Sequence, residues 1–174
     1  MKSSLEAIKE LRDITCSSIA HCRKALQDAK GDIKQAAILL RKQGLEIAAK
    51  KQSRAAKEGR VDCYIHHGNK IGVLLEVDCE SDFAAKNEEF VKFTKDLAMH
   101  IAASSPSYIN KEDVPEEALK HEKSKEEYYK GNCLMEQPFV KDPGLTIRDY
   151  LGGIVSKIGE NIVVRRFTRY KIGE

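Results

Sequence analysis

Two runs of alternating side chains, separated by a glycine and an asparagine, limit what this chain can fold into more than any other feature. Val61, Cys63, Ile65 and His67 alternate with Asp62, Tyr64 and His66; Gly68-Asn69 follows; Ile71, Val73, Leu75 and Val77 then alternate again. A period of two is a strand, and Gly-Asn between two strands is a hairpin turn. A lone hairpin is marginal in water, so it needs a further strand and a cover. Residues 161–172 (Asn-Ile-Val-Val-Arg-Arg-Phe-Thr-Arg-Tyr-Lys-Ile) supply the strand, with Arg165 and Arg166 expected on opposite sides. Two helical repeats supply the cover: Phe90, Phe93, Leu97 and Ile101, ended at Ser104-Ser105-Pro106, and Ile147, Leu151, Ile154 and Ile158, begun at Thr146 and stopped by Gly159. The predicted class is α+β, a three-stranded antiparallel sheet with helices packed on one face. Its open edges suit pairing in a homodimer.

Between the second strand and the first covering helix, residues 73–90 run through an acidic patch to Ser81-Asp82-Phe83. A large ring beside a carboxylate at a strand-to-helix junction has two fates. Phe83 either folds back under its own helix or projects as the anchor of an interface. Glu88 and Glu89 stand where a helix N-terminus favours negative charge.

Ahead of the sheet, residues 1–45 read as three short helices. Ser3 and Glu6 form a capping box before Leu5, Ile8 and Leu11; Ser18 caps a second helix carrying Ile19, Cys22 and Leu26 towards Gly31; Asp32 and Gln35 open a third, ended by Gly44. Residues 46–59, rich in alanine and cations, read as an exposed linking helix stopped by Gly59, and 60–174 as the α+β core and dimerisation domain. Within that core, 116–130 is densely charged and weakly packed, and 131–144 reads as an extended segment and loop.

Charge is unevenly placed: residues 1–60 carry +7, 61–140 carry −7 and 141–174 carry +3. A basic head and acidic middle suit an adaptor that meets a partner at several patches, and solvated helix faces explain the same pattern. The cations around Lys50, Lys51 and Arg54 lack interleaved aromatic rings for base stacking, so no direct nucleic-acid contact is expected. Five cysteines without a Cys-x-x-Cys pair fit a reducing cytoplasm. No apolar run is long enough for a membrane span, and the N-terminus lacks the apolar stretch of a signal peptide.

The motifs of chemistry are missing. No phosphate-binding glycine loop, Gly-x-Ser-x-Gly elbow or His-Glu-x-x-His occurs, and His66 and His67, on opposite faces of a strand, cannot share a metal. Glu76, Asp78, Glu80 and Asp82 follow from strand alternation rather than from a pocket. Neither an enzyme nor a metal or cofactor is expected. His100, near its helix end, reads as a satisfied surface imidazole or a contact residue.

Six segments in order (Thr15 to Leu26, Gly31-Asp32-Ile33, Leu75 to Phe90, Leu97 to Pro106, Glu136 to Asp142 and Lys157 to Phe167) resemble translation elongation factor Ts over nearly the whole chain. The likeness is to short, homodimeric forms with a single sheet core, and the N-terminal module resembles that family's ubiquitin-associated-like domain. The resemblance implies guanine-nucleotide exchange on the GTPase elongation factor Tu, bound GDP-loaded or nucleotide-free. Ser81-Asp82-Phe83-Ala84 stands at the family's Thr-Asp-Phe-Val motif. By likeness, Phe83 wedges between two helices of the GTPase, and Asp82 helps disturb its magnesium site. His100, Ile158 and Gly159 match further contacts; Ile19, Ala20 and Arg23 match positions that meet a helix of the GTPase; Gln137 to Val140 matches a segment approaching the partner's C-terminal β-domain.

The chain departs from the family at Cys16-Ser17-Ser18-Ile19-Ala20, where Gly-Ala-Gly-Met-Met is usual, and it lacks a long helical hairpin between Glu122 and Tyr129. Two other classes stay open on sequence alone. A general protein-binding adaptor would bind without accelerating nucleotide release. A nucleic-acid module, motivated by the basic head, would lose affinity steeply with salt.

Overall fold

The computed structural model describes residues 5–15, 17–120 and 122–174. Three helices open the chain: α1 (Leu5–Thr15), α2 (Ile19–Asp28) and α3 (Ile33–Lys51). The caps legible in the sequence form, with the Ser18 hydroxyl accepting from the His21 N–H and the Asp32 carboxylate from the Gln35 N–H. Ser3 lies outside the described residues. Ile8, Leu11, Cys22, Ala25, Leu26, Ala36 and Leu40 make a small core of their own.

Gly44 does not end the third helix. α3 continues through it to Lys51, and a strand begins at Glu58, so no separate helix spans 46–59 and Gly59 lies inside a strand. The reason is tertiary. A side chain at Gly44 would place its Cβ 3.2 Å from the backbone of Gly152, and the converse approach is equally tight. Each glycine costs its helix about 1 kcal/mol relative to alanine. The close helix crossing it permits offsets that cost.

The hairpin follows as β1 (Glu58–Ile65) and β2 (Ile71–Cys79), with Gly68 and Asn69 both at positive φ in the turn. His66 and His67 belong to this turn rather than to opposite faces of a strand. Next come α4 (Asp82–Lys86), α5 (Glu88–Ser104), α6 (Glu116–Leu119) and α7 (Lys125–Asn132). The extended segment expected within 131–144 pairs as a two-stranded hairpin, β3 (Pro138–Phe139) with β4 (Asp142–Thr146). Then α8 (Ile147–Ile158), capped by Thr146 and closed by Gly159 at φ 83°, leads to β5 (Ile162–Lys171). The main sheet is antiparallel in the order β1-β2-β5.

Register, not alternation, decides which side of β1 is covered. Cys63 stands opposite Leu74 and Asp62 opposite Leu75. Since β2 buries Val73, Leu75, Val77 and Cys79, the apolar residues Val61, Cys63 and Ile65 share the open face with Leu74. Asp62 points inward and accepts from the buried Thr94 hydroxyl at 2.8 Å. A bulge between Glu76 and Val77 corrects the expectation for β5: Arg165 is the extra residue, and both arginines reach carboxylates of the outer face, Arg165 on Asp78 and Arg166 on Glu76.

α5 covers β1 and β2 on the inner face, and α8 packs against α5, α3 and the small hairpin. Phe93 meets Tyr150 edge-on at 5.2 Å, and Tyr150 stacks on Phe139 at 4.9 Å. The buried Asp96 ties this core to the small hairpin by accepting from Lys141, Lys92 and the Tyr150 hydroxyl. Burial pushes its pKa up, but the three donors outweigh it and hold the carboxyl below its usual range. Among the described residues, no helix is long and apolar enough to cross a membrane.

Candidate partner-binding site

The acidic stretch after β2 does not simply turn into the long helix. It first forms α4, five residues long, which carries Asp82 and Phe83 in its first turn. A helix this short has no stability of its own. Its ends are held from outside: the Ser81 hydroxyl accepts from the Ala84 N–H, Asn87 closes it and caps α5, and Ala84 and Ala85 are buried beneath it. With the alanines inward, Phe83 is turned out and stands 82% exposed. The alternative, a ring folded under its own helix, is not what forms.

Asp82 is exposed beside it and paired with Lys86 one turn on, at 2.7 Å. That hydrogen bond is the main reason its carboxyl lies below the ordinary range. The other three carboxylates of the acidic run have cations as well: Glu76 has Arg166, Asp78 has Arg165 and Glu80 has Arg54. Such pairs are a solvated charge lattice rather than a pocket.

The turn from α8 into β5 closes on α4 from the side. Glu160 accepts from the N–H groups of Glu80 at 3.1 Å and Ser81 at 2.9 Å through Oε2, and from the Ser81 hydroxyl at 2.6 Å through Oε1. Asn161, itself buried, donates its N–H to Glu80 Oε1 and its amide to the Arg54 carbonyl, while Lys51 reaches the Gly159 carbonyl at 2.6 Å. The Cys79 thiol donates to the Ser81 carbonyl at 3.1 Å. Burial and then the nearby Glu160 charge push that thiol up to about 11, so it keeps its proton and stays a donor.

Of the residues singled out in the sequence, the structure thus gathers Ser81, Asp82, Phe83, Ala84, Ile158 and Gly159 around one turn. Ile19, Ala20 and Arg23 stand exposed on a different surface, that of α2. His100 is a correction, because its ring is 0% exposed and neither a surface imidazole nor a direct contact. Its Nδ1 accepts from the Val140 N–H at 3.3 Å, which leaves the proton on Nε2 to donate to Gln137 Oε1 at 3.0 Å. The ring therefore holds the 137–140 segment in place from inside. Glu160 and Asn161 were missed in the sequence; the available signal was a polar pair immediately after the glycine that ends a helix.

Burial lowers the His100 pKa from 6.5, against the Gln137 hydrogen bond. The unfolded chain then takes up the proton more readily, so folding stability is complete above pH 6.5 and falls as pH drops through and below it. Urea titrations from pH 8 to pH 5 should show this fall, up to about 1.4 kcal/mol per pH unit for one proton. His100→Gln should lose the step, and an unchanged step in that variant would assign it elsewhere. Asp96 acts in a separate acid window, where stability is lost as pH falls below 3.8.

The fold and this turn define an α+β protein with an exposed aromatic ring on a short, capped helix beside the sheet. Comparison with known proteins agrees on a family. Residues 5–127 match the family model described as elongation factor TS. The chain is 46% identical to elongation factor Ts of Caldanaerobacter subterraneus subsp. tengcongensis, over 98% of this chain and 97% of that relative. It is 47% identical to elongation factor Ts of Geobacter sulfurreducens over 100% and 91%, and 42% identical to that of Herpetosiphon aurantiacus over 99% of each chain. The chain belongs to the elongation factor Ts family. These alignments span 194 to 197 positions against 174 residues here, so the relatives carry internal residues that this chain lacks.

Proposed function

We propose that this protein is a guanine-nucleotide exchange factor for elongation factor Tu, acting in the cytoplasm to release GDP during translation elongation. The observation that carries this reading is Phe83, 82% exposed on a helix whose cap is held by a second part of the chain. Membership of the elongation factor Ts family supplies the partner. No group of the chain needs to make or break a bond. Factor and nucleotide compete through a coupling free energy that is reciprocal, so each weakens the other's binding to the GTPase by the same factor. Only contacts stronger in the nucleotide-free state do this work. A ring inserted into the GTPase, with Asp82 near its magnesium site, is such a contact. Ile19, Ala20 and Arg23 on the ubiquitin-associated-like module, together with the turn at Ile158 and Gly159, extend the docking surface. The test is release of a fluorescent GDP analogue from elongation factor Tu with substoichiometric factor. Acceleration with turnover is expected; binding without acceleration would make the protein an adaptor instead.

A homodimer completes this reading, and the open face of the sheet supports it. Val61, Ile65, Leu74 and Tyr170 are all exposed there, beside the ion pairs of Glu76 with Arg166 and Asp78 with Arg165. An apolar patch whose flanking charges are already neutralised suits a second copy of itself. Leu74→Asp is expected to convert the dimer to a monomer in sedimentation velocity while leaving the helix content unchanged. A wild-type chain that sediments as a monomer at micromolar concentration would remove this part of the proposal.

A further inference from the structure

Phe83 has almost no packing of its own to hold it, and α4 is too short to hold itself. Something outside the helix must therefore set the direction of the ring. Glu80 and Ser81 lead into α4, and both of their N–H groups, together with the Ser81 hydroxyl, converge on one side chain, Glu160. The hydroxyl it orients is the same one that caps α4 through the Ala84 N–H at 3.3 Å. The chain of contacts runs Glu160, Ser81 Oγ, Ala84 N–H, and Phe83 lies between the last two in sequence. Resting on the exchange reading above, we propose that Glu160 is a positioning residue for exchange, its carboxylate preorganising the N-terminus of α4 so that Phe83 meets the GTPase without first being ordered.

The carboxylate suits this role because an anion accepts with both oxygens and donates from neither, and all three of its partners here are donors. Without it the turn keeps the Cys79 thiol on the Ser81 carbonyl and the buried alanines, so the helix survives but its entry loosens. A loosened anchor must be ordered on docking, and that cost appears in the efficiency of exchange rather than in the fold.

The experiment measures kcat/KM for GDP-analogue release from elongation factor Tu with wild type, Glu160→Ala, Glu160→Gln, Phe83→Ala and the double variant Glu160→Ala/Phe83→Ala, at raised factor concentration for the weakest. Glu160→Ala is expected to lose about tenfold, as for removal of charge-assisted hydrogen bonds. Glu160→Gln keeps an oxygen for the two N–H groups and should stay within about threefold of wild type. In the Phe83→Ala background, Glu160→Ala should cost less than about twofold more, because a residue that acts through Phe83 has nothing left to position. Full activity of Glu160→Ala beside an active wild type and a weakened Phe83→Ala would overturn the role of Glu160 and leave the exchange reading standing. Effects that multiply in the double variant would overturn it too, since an independent structural role predicts that. Should Glu160→Ala fail to fold, the same cycle with Glu160→Asp decides. The shorter carboxylate keeps its charge but cannot reach all three donors. It is expected to lose about fivefold or more alone and less than about twofold more in the Phe83→Ala background, and full activity or multiplying effects would overturn the role. A wild-type chain that does not accelerate release would overturn both the exchange reading and this role.

Discussion

Phe83→Ala is expected to lower the efficiency of GDP release about 30-fold or more while leaving the thermal midpoint of the protein where it was. The two halves of that result have one cause. With 82% of its surface in water, Phe83 contributes almost nothing to the folded state, so removing it opens no cavity. A ring that is exposed when free and buried when docked is worth about 2 kcal/mol or more at the centre of an interface, which is the 30-fold. Phe83→Leu, retaining part of the apolar volume, should fall between. Unchanged release by Phe83→Ala would remove the ring from the mechanism, and a large fall in midpoint would show that it belongs to the core after all. Because coupling is reciprocal, the variant should also be displaced from the nucleotide-free GTPase by less GDP than wild type requires.

Phe93→Ala should do the reverse. The ring is fully buried, edge-on to Tyr150 of α8 at 5.2 Å, and it lies on the helix that covers β1 and β2. Truncating such a ring costs about 3–5 kcal/mol through lost transfer free energy and the cavity left behind. That is a large share of the roughly 5–15 kcal/mol that holds an ordinary domain together. Urea unfolding should therefore show a much lower midpoint with a similar slope. Exchange measured well below the midpoint should be close to wild type, since the docking turn is built from other residues. A loss under about 1 kcal/mol would mean that the core had closed over the missing ring, and the aromatic cluster with Tyr150 and Phe139 would then not be the centre of the fold. Two phenylalanines ten positions apart thus separate stability from activity.

Some features of this protein are set by neighbours in the sequence, and these are legible in the order of residues alone. The Ser18, Asp32 and Thr146 caps, the Gly68-Asn69 turn and the left-handed Gly159 each need only residues within a few positions. The same is true of the helical spacing of Phe90, Phe93, Leu97 and Ile101, all buried as the pattern requires. From these the α+β class and the antiparallel hairpin follow. The capped helix start at Ser81-Asp82-Phe83-Ala84 is legible too, because Ser81 carries its own cap.

What stays hidden depends on residues far apart along the chain. Gly44 has the signature of a helix stop, and only the approach of Gly152 makes it a point of contact inside a longer helix. Arg165 and Arg166 alternate in sequence, and only a bulge against β2 turns both to one face. His100 sits near a helix end, where exposure is the ordinary outcome, until the β3–β4 hairpin buries it. Glu160 reaches Ser81 across 79 residues, and Lys51 reaches Gly159 across 108. Local periodicity reports the conformation of a segment, because capping and alternation are short-range. Which face is covered, and which side chain holds the anchor, is decided by long-range packing, since a buried polar group must find its partner wherever the tertiary fold puts one.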